Sequence, residues 1–110
     1  MDPNIWGPHA WFFLHTIAIN YPDSPINETK NNYKNFIKSF IEIIPCNVCK
    51  RGIKKIMRQN PLTLKVLGSR ESFVCWMNNI HNKVNKKLGK KIYTLDESIE
   101  YYKKMYENSK

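Results

Sequence analysis

Apolar residues recur at three- and four-residue spacing through most of the chain, and no segment sustains period-two alternation. Residues 3–20 read as a helix with Pro3 near its first turn, and with Trp11, Leu14, His15 and Ala18 on one face. Residues 27–44 read as a second helix, with Asn27 as N-cap and a stripe of Tyr33, Phe36, Ile37, Phe40, Ile41 and Ile44. Pro45 ends it. A short third helix is predicted from Cys46 to about Arg58, turning Ile53, Ile56 and Met57 inward. Ser69 caps a fourth, although Ser72 stands where a capping box prefers Glu. Its core face is Phe73, Trp76, Met77, Ile80, Val84 and Leu88, and Gly89 is the natural stop. Thr94 and Glu97 form a capping box for a fifth helix over roughly 94–107. Pro22, Pro25, Pro45 and Pro61 fall between these segments and punctuate them. The expected class is all-α, a four-helix bundle plus a short fifth helix. Without internal repeats, low-complexity tracts or long linkers, residues 1–110 are expected to form one domain.

Composition narrows the classes. A 42% hydrophobic fraction closes one modest core, and 13% aromatic with 25% charged residues argues against disorder. The longest uncharged apolar run lies near Ala10–Asn20, and His15 interrupts it, so no membrane span is expected. Met1-Asp2-Pro3-Asn4 lacks the basic start of a signal peptide, so no secretory leader is expected.

The net charge of +9 is localised. Residues 1–45 hold three lysines and four acids, and residues 94–110 hold the same balance. Residues 46–93 hold twelve Lys and Arg against Glu71 alone. Alone, such an excess suggests nucleic acid, a membrane surface or a phosphate-bearing cofactor. Where it sits points elsewhere, because it begins at a pair of cysteines.

Pro45-Cys46-Asn47-Val48-Cys49 stands at a helix start, where backbone N–H groups favour thiolate, and Lys50, Arg51, Lys54 and Lys55 act the same way. Two cysteines three apart close a small disulfide that opens readily. The pair reads as redox-active. The alternative is half a zinc site completed by Cys75 and His81. Those two are six apart on one predicted helix, a rotation of about 240°, and converge poorly. A thioredoxin-type reading needs strands around the pair, which the pattern lacks.

A dithiol that is repeatedly re-oxidised needs an electron acceptor. Trp11 and His15 are one turn apart on the first helix, and Asn78, His81, Asn82 and Asn85 form a polar stripe on the fourth. Buried Asn and His need partners. A flavin offers carbonyls, ring nitrogens and a stacking face, and Lys83, Lys86, Lys87, Lys90 and Lys91 would meet its pyrophosphate.

Three ordered blocks then resemble the Erv/ALR family of FAD-dependent sulfhydryl oxidases. Trp6-Gly7-Pro8-His9-Ala10-Trp11-Phe12-Phe13-Leu14-His15 resembles WGxxxWxxLH. Pro45-Cys46-Asn47-Val48-Cys49 resembles the family's PCxxC. Phe73-Val74-Cys75-Trp76 with His81 to Lys90 resembles FxxW and HNxVNxxLGK. The resemblance runs from about residue 5 to 93 and is closest to members encoded by large DNA viruses, the mimivirus-like ones.

The resemblance implies a helical bundle holding FAD non-covalently at its mouth. Substrate thiolate would attack Cys46, giving a mixed disulfide, and Cys49 would pass the electron pair to the flavin. Molecular oxygen would re-oxidise the flavin and leave as hydrogen peroxide. Trp11, His15, Trp76, His81, Asn82, Val84, Asn85, Lys87 and Lys90 would contact FAD, along with Cys49. Gly7 would permit close approach, and Tyr93 stands where the family often has an aromatic near the cofactor. No metal ligands are implied.

The chain departs from many members in lacking a shuttle cysteine pair and a disulfide tying down the last helix. Cys75 alone remains and is expected as a small buried side chain, an exposed inter-subunit thiol being the alternative. Electrons would enter at Cys46 from a small thiol or from a thioredoxin-like partner's dithiol. A homodimer is expected, with Phe12, Phe13, Phe36 and Phe40 supplying surplus aromatic surface. The competing readings are a catalytically weak paralogue acting as an FAD-binding partner protein, and a basic nucleic-acid-binding module, which leaves the cysteine pair and the Asn/His stripe unexplained. Cytosol keeps thiols reduced. A viral assembly site in host cytoplasm or the virion is therefore the expected location, with the mitochondrial intermembrane space second.

Overall fold

The computed structural model describes residues 1–108. Five α-helices follow in order: α1 (Pro3–Ile19), α2 (Asn27–Ile43), α3 (Asn47–Gln59), α4 (Arg70–Lys87) and α5 (Leu95–Asn108). A single 3₁₀ turn, Val66–Gly68, precedes α4, and no strand occurs among the described residues. The all-α expectation holds, with boundaries within a residue or two. No helix among the described residues is long and apolar enough to cross a membrane.

The helix ends show why the elements sit where they do. Asp2 caps α1 by accepting from the Asn4 N–H at 2.8 Å. Ser69 Oγ accepts from the Ser72 N–H at 3.1 Å. Thr94 and Glu97 cap α5 reciprocally: the Thr94 N–H donates to Glu97 Oε1 at 3.0 Å, and the Glu97 N–H to Thr94 Oγ1 at 3.1 Å. Gly89, at φ +70°, ends α4. The Gly89 N–H reaches the Lys86 carbonyl and the Lys90 N–H reaches the Asn85 carbonyl, which is the Schellman pairing that a left-handed residue permits.

Three expectations are corrected. Asn27 is the first residue of α2 rather than its cap; Ile26 holds the cap position with no side-chain bond. Pro8 lies inside α1, so prolines do not fall only between helices here. Its ring nitrogen cannot donate to the Asn4 carbonyl, and both residues are solvent-exposed near the helix start, where the loss is cheap. Leu88 is 60% exposed rather than in the core, because α4 ends beneath it.

α4 is the hub, packing against α1, α3, α5 and the 3₁₀ turn. Leu14, Ala18, Ile37, Ile41, Phe73, Trp76, Met77 and Ile80 form the predicted part of the core. Val74 of α4 joins them, and Tyr21, Leu62 and Leu67 complete the core from connecting segments that have no periodicity of their own. The Tyr21 hydroxyl donates to the Leu67 carbonyl at 2.7 Å, and the Arg70 guanidinium donates to the Tyr21 carbonyl. The loops are thus tied to the start of α4. Ser72 replaces the expected Glu with different chemistry: its hydroxyl donates to the Val66 carbonyl and joins α4 to the 3₁₀ turn.

Candidate active site

Cys46 and Cys49 form a disulfide at the N-terminus of α3. Cys46 is the N-cap, and its Sγ accepts from the Cys49 N–H at 3.2 Å. A sulfur held there sits at the positive end of the helix dipole, so negative charge left on it by bond opening is stabilised. Both cysteines are half-buried, and Val48 between them is 71% exposed.

Beside it a cavity of about 710 Å³ runs between α1, the ends of α2 and α3, α4 and α5. This volume lies in the range of cofactor sites. Cys49 lines it and Cys46 does not. Of the residues expected at the cofactor, Gly7, Trp11, Trp76, His81, Asn82, Val84, Asn85, Lys90 and Tyr93 also line it. His15 and Lys87 do not.

His15 stands directly behind the wall. Its Nε2 lies 2.9 Å from His81 Nδ1, and its ring stacks on Tyr102 with centroids 4.4 Å apart. On the cavity side, Trp11 stacks on His81 at 3.9 Å and nearly parallel. Burial, then the neighbouring His81, holds His15 down to about 3. Burial, then Lys90, holds His81 down to about 4. Both rings are therefore neutral at pH 7, and the pair shares one proton in its hydrogen bond. Burial pushes the Tyr102 phenol up to about 12, so it stays a neutral ring against His15.

Lys87 goes elsewhere. Its Nζ reaches across α3 and would stand 3.3 Å from a Cβ at Gly52. Asn82 faces the cavity with its amide engaged: Oδ1 accepts from the Tyr93 N–H at 3.0 Å, and Nδ2 donates to the Tyr93 carbonyl. That clamp, with Asn78 Nδ2 on the same carbonyl, fixes Tyr93 and the strap between α4 and α5. Trp76 Nε1 donates to the Asn60 carbonyl at 2.9 Å, joining the end of α3 to α4.

Several lining residues were not singled out from the sequence. Trp6 contributes Nε1, a buried donor without a protein partner. Tyr101, Tyr102 and Met105 close the cavity from α5. The one available signal was their spacing, since Tyr101 and Met105 are one turn apart. Cys75, expected to be buried, is exposed on α4. The inward positions there are taken by Phe73, Val74, Trp76 and Met77.

The wall suits FAD. Aromatic faces from Trp11, Trp76 and Tyr93 offer stacking, the orphan Trp6 Nε1 offers a donor, and Lys90 and Lys91 lie at the edge for a pyrophosphate. No protein atom lies within 4 Å of where a Cβ on Gly7 would stand, so the missing side chain leaves space rather than relieving protein packing.

The chain has relatives across viruses and eukaryotes. A protein of Acanthamoeba polyphaga mimivirus is 40% identical over 104 residues, covering 94% of this chain and 73% of the relative. The FAD-linked sulfhydryl oxidase of African swine fever virus is 39% identical over 104 residues, covering 94% and 82%. The crystal structure of the FAD-binding domain of Erv1 from Saccharomyces cerevisiae superposes with a TM-score of 0.82 at 34% identity, covering 98% of this chain and 96% of that one. A profile of the Erv1/Alr family matches residues 8–107, and the chain belongs to that family.

Proposed function

We propose that this chain is an FAD-linked sulfhydryl oxidase in which Cys46 receives substrate thiols and Cys49 faces the cofactor. The observation that carries the division of labour is that Cys49 lines the cavity and Cys46 does not. A substrate thiolate attacks Cys46 Sγ, the Cys46–Cys49 bond breaks, and its electron pair stays on Cys49 Sγ. The second substrate thiolate then displaces Cys46 Sγ and closes the substrate disulfide. Two electrons have moved from substrate to protein, and the two substrate protons balance the new Cys46 and Cys49 thiols. When bound, FAD would supply the two-electron acceptor, with molecular oxygen as the final acceptor and hydrogen peroxide as its product.

In this reading residues 1–110 act as one catalytic domain. Trp11, Trp76 and Tyr93 would flank the planar rings, Gly7 would give them room, and His81, Asn85 and Val84 would complete the wall. Lys90 would meet the pyrophosphate. His15 positions His81 from behind, and Asn82 positions Tyr93. Lys87, drawn across Gly52, is not needed at the cofactor. The reduced partner is a dithiol of a thioredoxin-like protein or a small thiol. Two copies pair through the outer faces of α1 and α2, where Phe13 is 50% and Phe36 is 40% exposed and the two rings meet edge to face. Action at viral assembly sites in host cytoplasm or in the virion follows if the chain, like these relatives, is viral.

Oxygen consumption with dithiothreitol tests the function. The purified yellow protein should consume oxygen and produce an equal amount of hydrogen peroxide. A flavin-loaded protein that consumes none would overturn it.

A further inference from the structure

Three cations line the face of α3, the helix that starts at the disulfide, on a surface that the cofactor cavity does not use, and a fourth, Lys87, comes across to it. At about 100° per residue, Val48, Arg51, Lys55 and Arg58 share one face of α3. All four are exposed. The stripe starts between the two cysteines and runs for about 15 Å. Gly52 borders it, and its missing side chain is where Lys87 Nζ of α4 comes across. Ile43, 76% exposed at the end of α2, lies just before the disulfide in the chain.

None of this serves the fold. Arg51 with Lys55 and Lys55 with Arg58 are like charges one turn apart, each costing a few tenths of a kcal/mol. The ion pair that α3 makes among the described residues belongs to Lys54, which turns to Glu42 of α2. The stripe therefore carries its charge toward solvent, along the helix whose first turn holds the disulfide.

We propose that this face docks an acidic protein substrate and delivers its thiolate to Cys46. The inference rests on the oxidase reading and names the substrate class for it. An acidic segment lies along Arg51, Lys55, Arg58 and Lys87, while Val48 and Ile43 give the residues around its cysteine an apolar footing. A polyphosphate backbone would use the cations but not that footing, and would have no thiol to present.

The test uses the flavin-loaded protein and three synthetic peptides that share a central Cys-Gly-Ala-Cys dithiol, flanked by Glu, by Gln or by Lys. At low salt kcat/KM should be about tenfold higher for the Glu peptide than for the Lys peptide. The advantage should vanish near 1 M salt, where the screening length is about 3 Å. Combined Arg51→Glu, Lys55→Glu and Arg58→Glu should reverse the order of the peptides when each kcat/KM is taken relative to the same variant's turnover of dithiothreitol. Equal kcat/KM for the three peptides, or an order that the triple variant leaves intact, overturns the docking face while dithiothreitol turnover preserves the oxidase. Absent dithiothreitol turnover overturns the oxidase instead. The docking face is then read by fluorescence anisotropy with the same peptides carrying Ser for Cys: salt-sensitive preference for the Glu peptide, lost in the triple variant, supports it, and no preference overturns it. Duplex DNA binding that the triple variant abolishes, with peptides indifferent to charge, also overturns it.

Discussion

His15 and His81, 66 residues apart in sequence, face each other through a single hydrogen bond of 2.9 Å between Nε2 and Nδ1. The bond needs one proton, and two neutral rings supply it. Trp11 covers one ring and Tyr102 the other, and their burial keeps away the water that would solvate a charge.

That arrangement sets a pH dependence of stability. Both folded pKa values lie below the ordinary 6.5, at about 3 for His15 and about 4 for His81. Between 6.5 and 4 the unfolded chain therefore binds more protons than the folded one, and stability falls as pH falls. The contribution is complete above 6.5 and is lost on the way down to about 4 for His81 and about 3 for His15. Each ring should cost on the order of 1 kcal/mol per pH unit in that window. Urea unfolding of the protein at pH 7, 6 and 5 should show a falling midpoint. In His15→Gln the slope should be roughly halved. A midpoint independent of pH over this range would contradict the neutral pair.

The aromatic wall predicts cofactor retention. Trp11 lines the cavity and lies face-on to His81. Replacing it with Ala removes a stacking face worth about 1–3 kcal/mol, so FAD affinity should fall by about 5- to 150-fold. Gel filtration followed by the ratio of flavin to protein absorbance measures the loss, and helical circular dichroism should be unchanged. Full flavin occupancy in Trp11→Ala would remove Trp11 from the site.

The two cysteines should also be chemically unequal. In Cys49→Ser, Cys46 becomes a free thiol that keeps its place at the α3 N-terminus. Its thiolate should attack an aromatic disulfide on the order of tenfold faster than Cys75, exposed mid-helix on α4. Stopped-flow release of the thiophenolate should show a fast phase of one equivalent, absent from Cys46→Ser paired with Cys49→Ser. Equal rates for Cys46 and Cys75 would argue against thiolate stabilisation at the helix start.

What could be read ahead of the structure divides along a physical line. The helices were legible because periodicity and caps are local: Ser69, Gly89 and the Thr94–Glu97 box all act as their residue types predict. The cavity residues on α1 and α4 were legible because three blocks resemble one family. Tyr21, Leu62 and Leu67 were not, since nothing local marks a loop residue as core. The α5 wall was missed for the same reason, as its fit depends on how a strap held by Asn82 aims the last helix. Cys75 was misplaced because its type suggests burial, whereas its exposure depends on rotation about α4. Lys87 went to α3 because Gly52 leaves room there, a fact about two helices rather than one.

Gly52 offers a final prediction. It sits mid-helix in α3, where Gly costs about 1 kcal/mol relative to Ala. A Cβ there would meet one atom, Lys87 Nζ at 3.3 Å, the free end of a flexible side chain that moves aside by a few tenths of an ångström. Backbone entropy therefore decides the sign, and Gly52→Ala should stabilise the fold by about 0.5–1 kcal/mol. Thermal unfolding should shift upward by a few degrees. If docking of acidic thiols depends on Lys87 lying across α3, the same variant should weaken kcat/KM for the Glu-flanked peptide while dithiothreitol turnover holds. Unchanged peptide kinetics with raised stability would confine Lys87 to packing and leave the docking stripe to Arg51, Lys55 and Arg58.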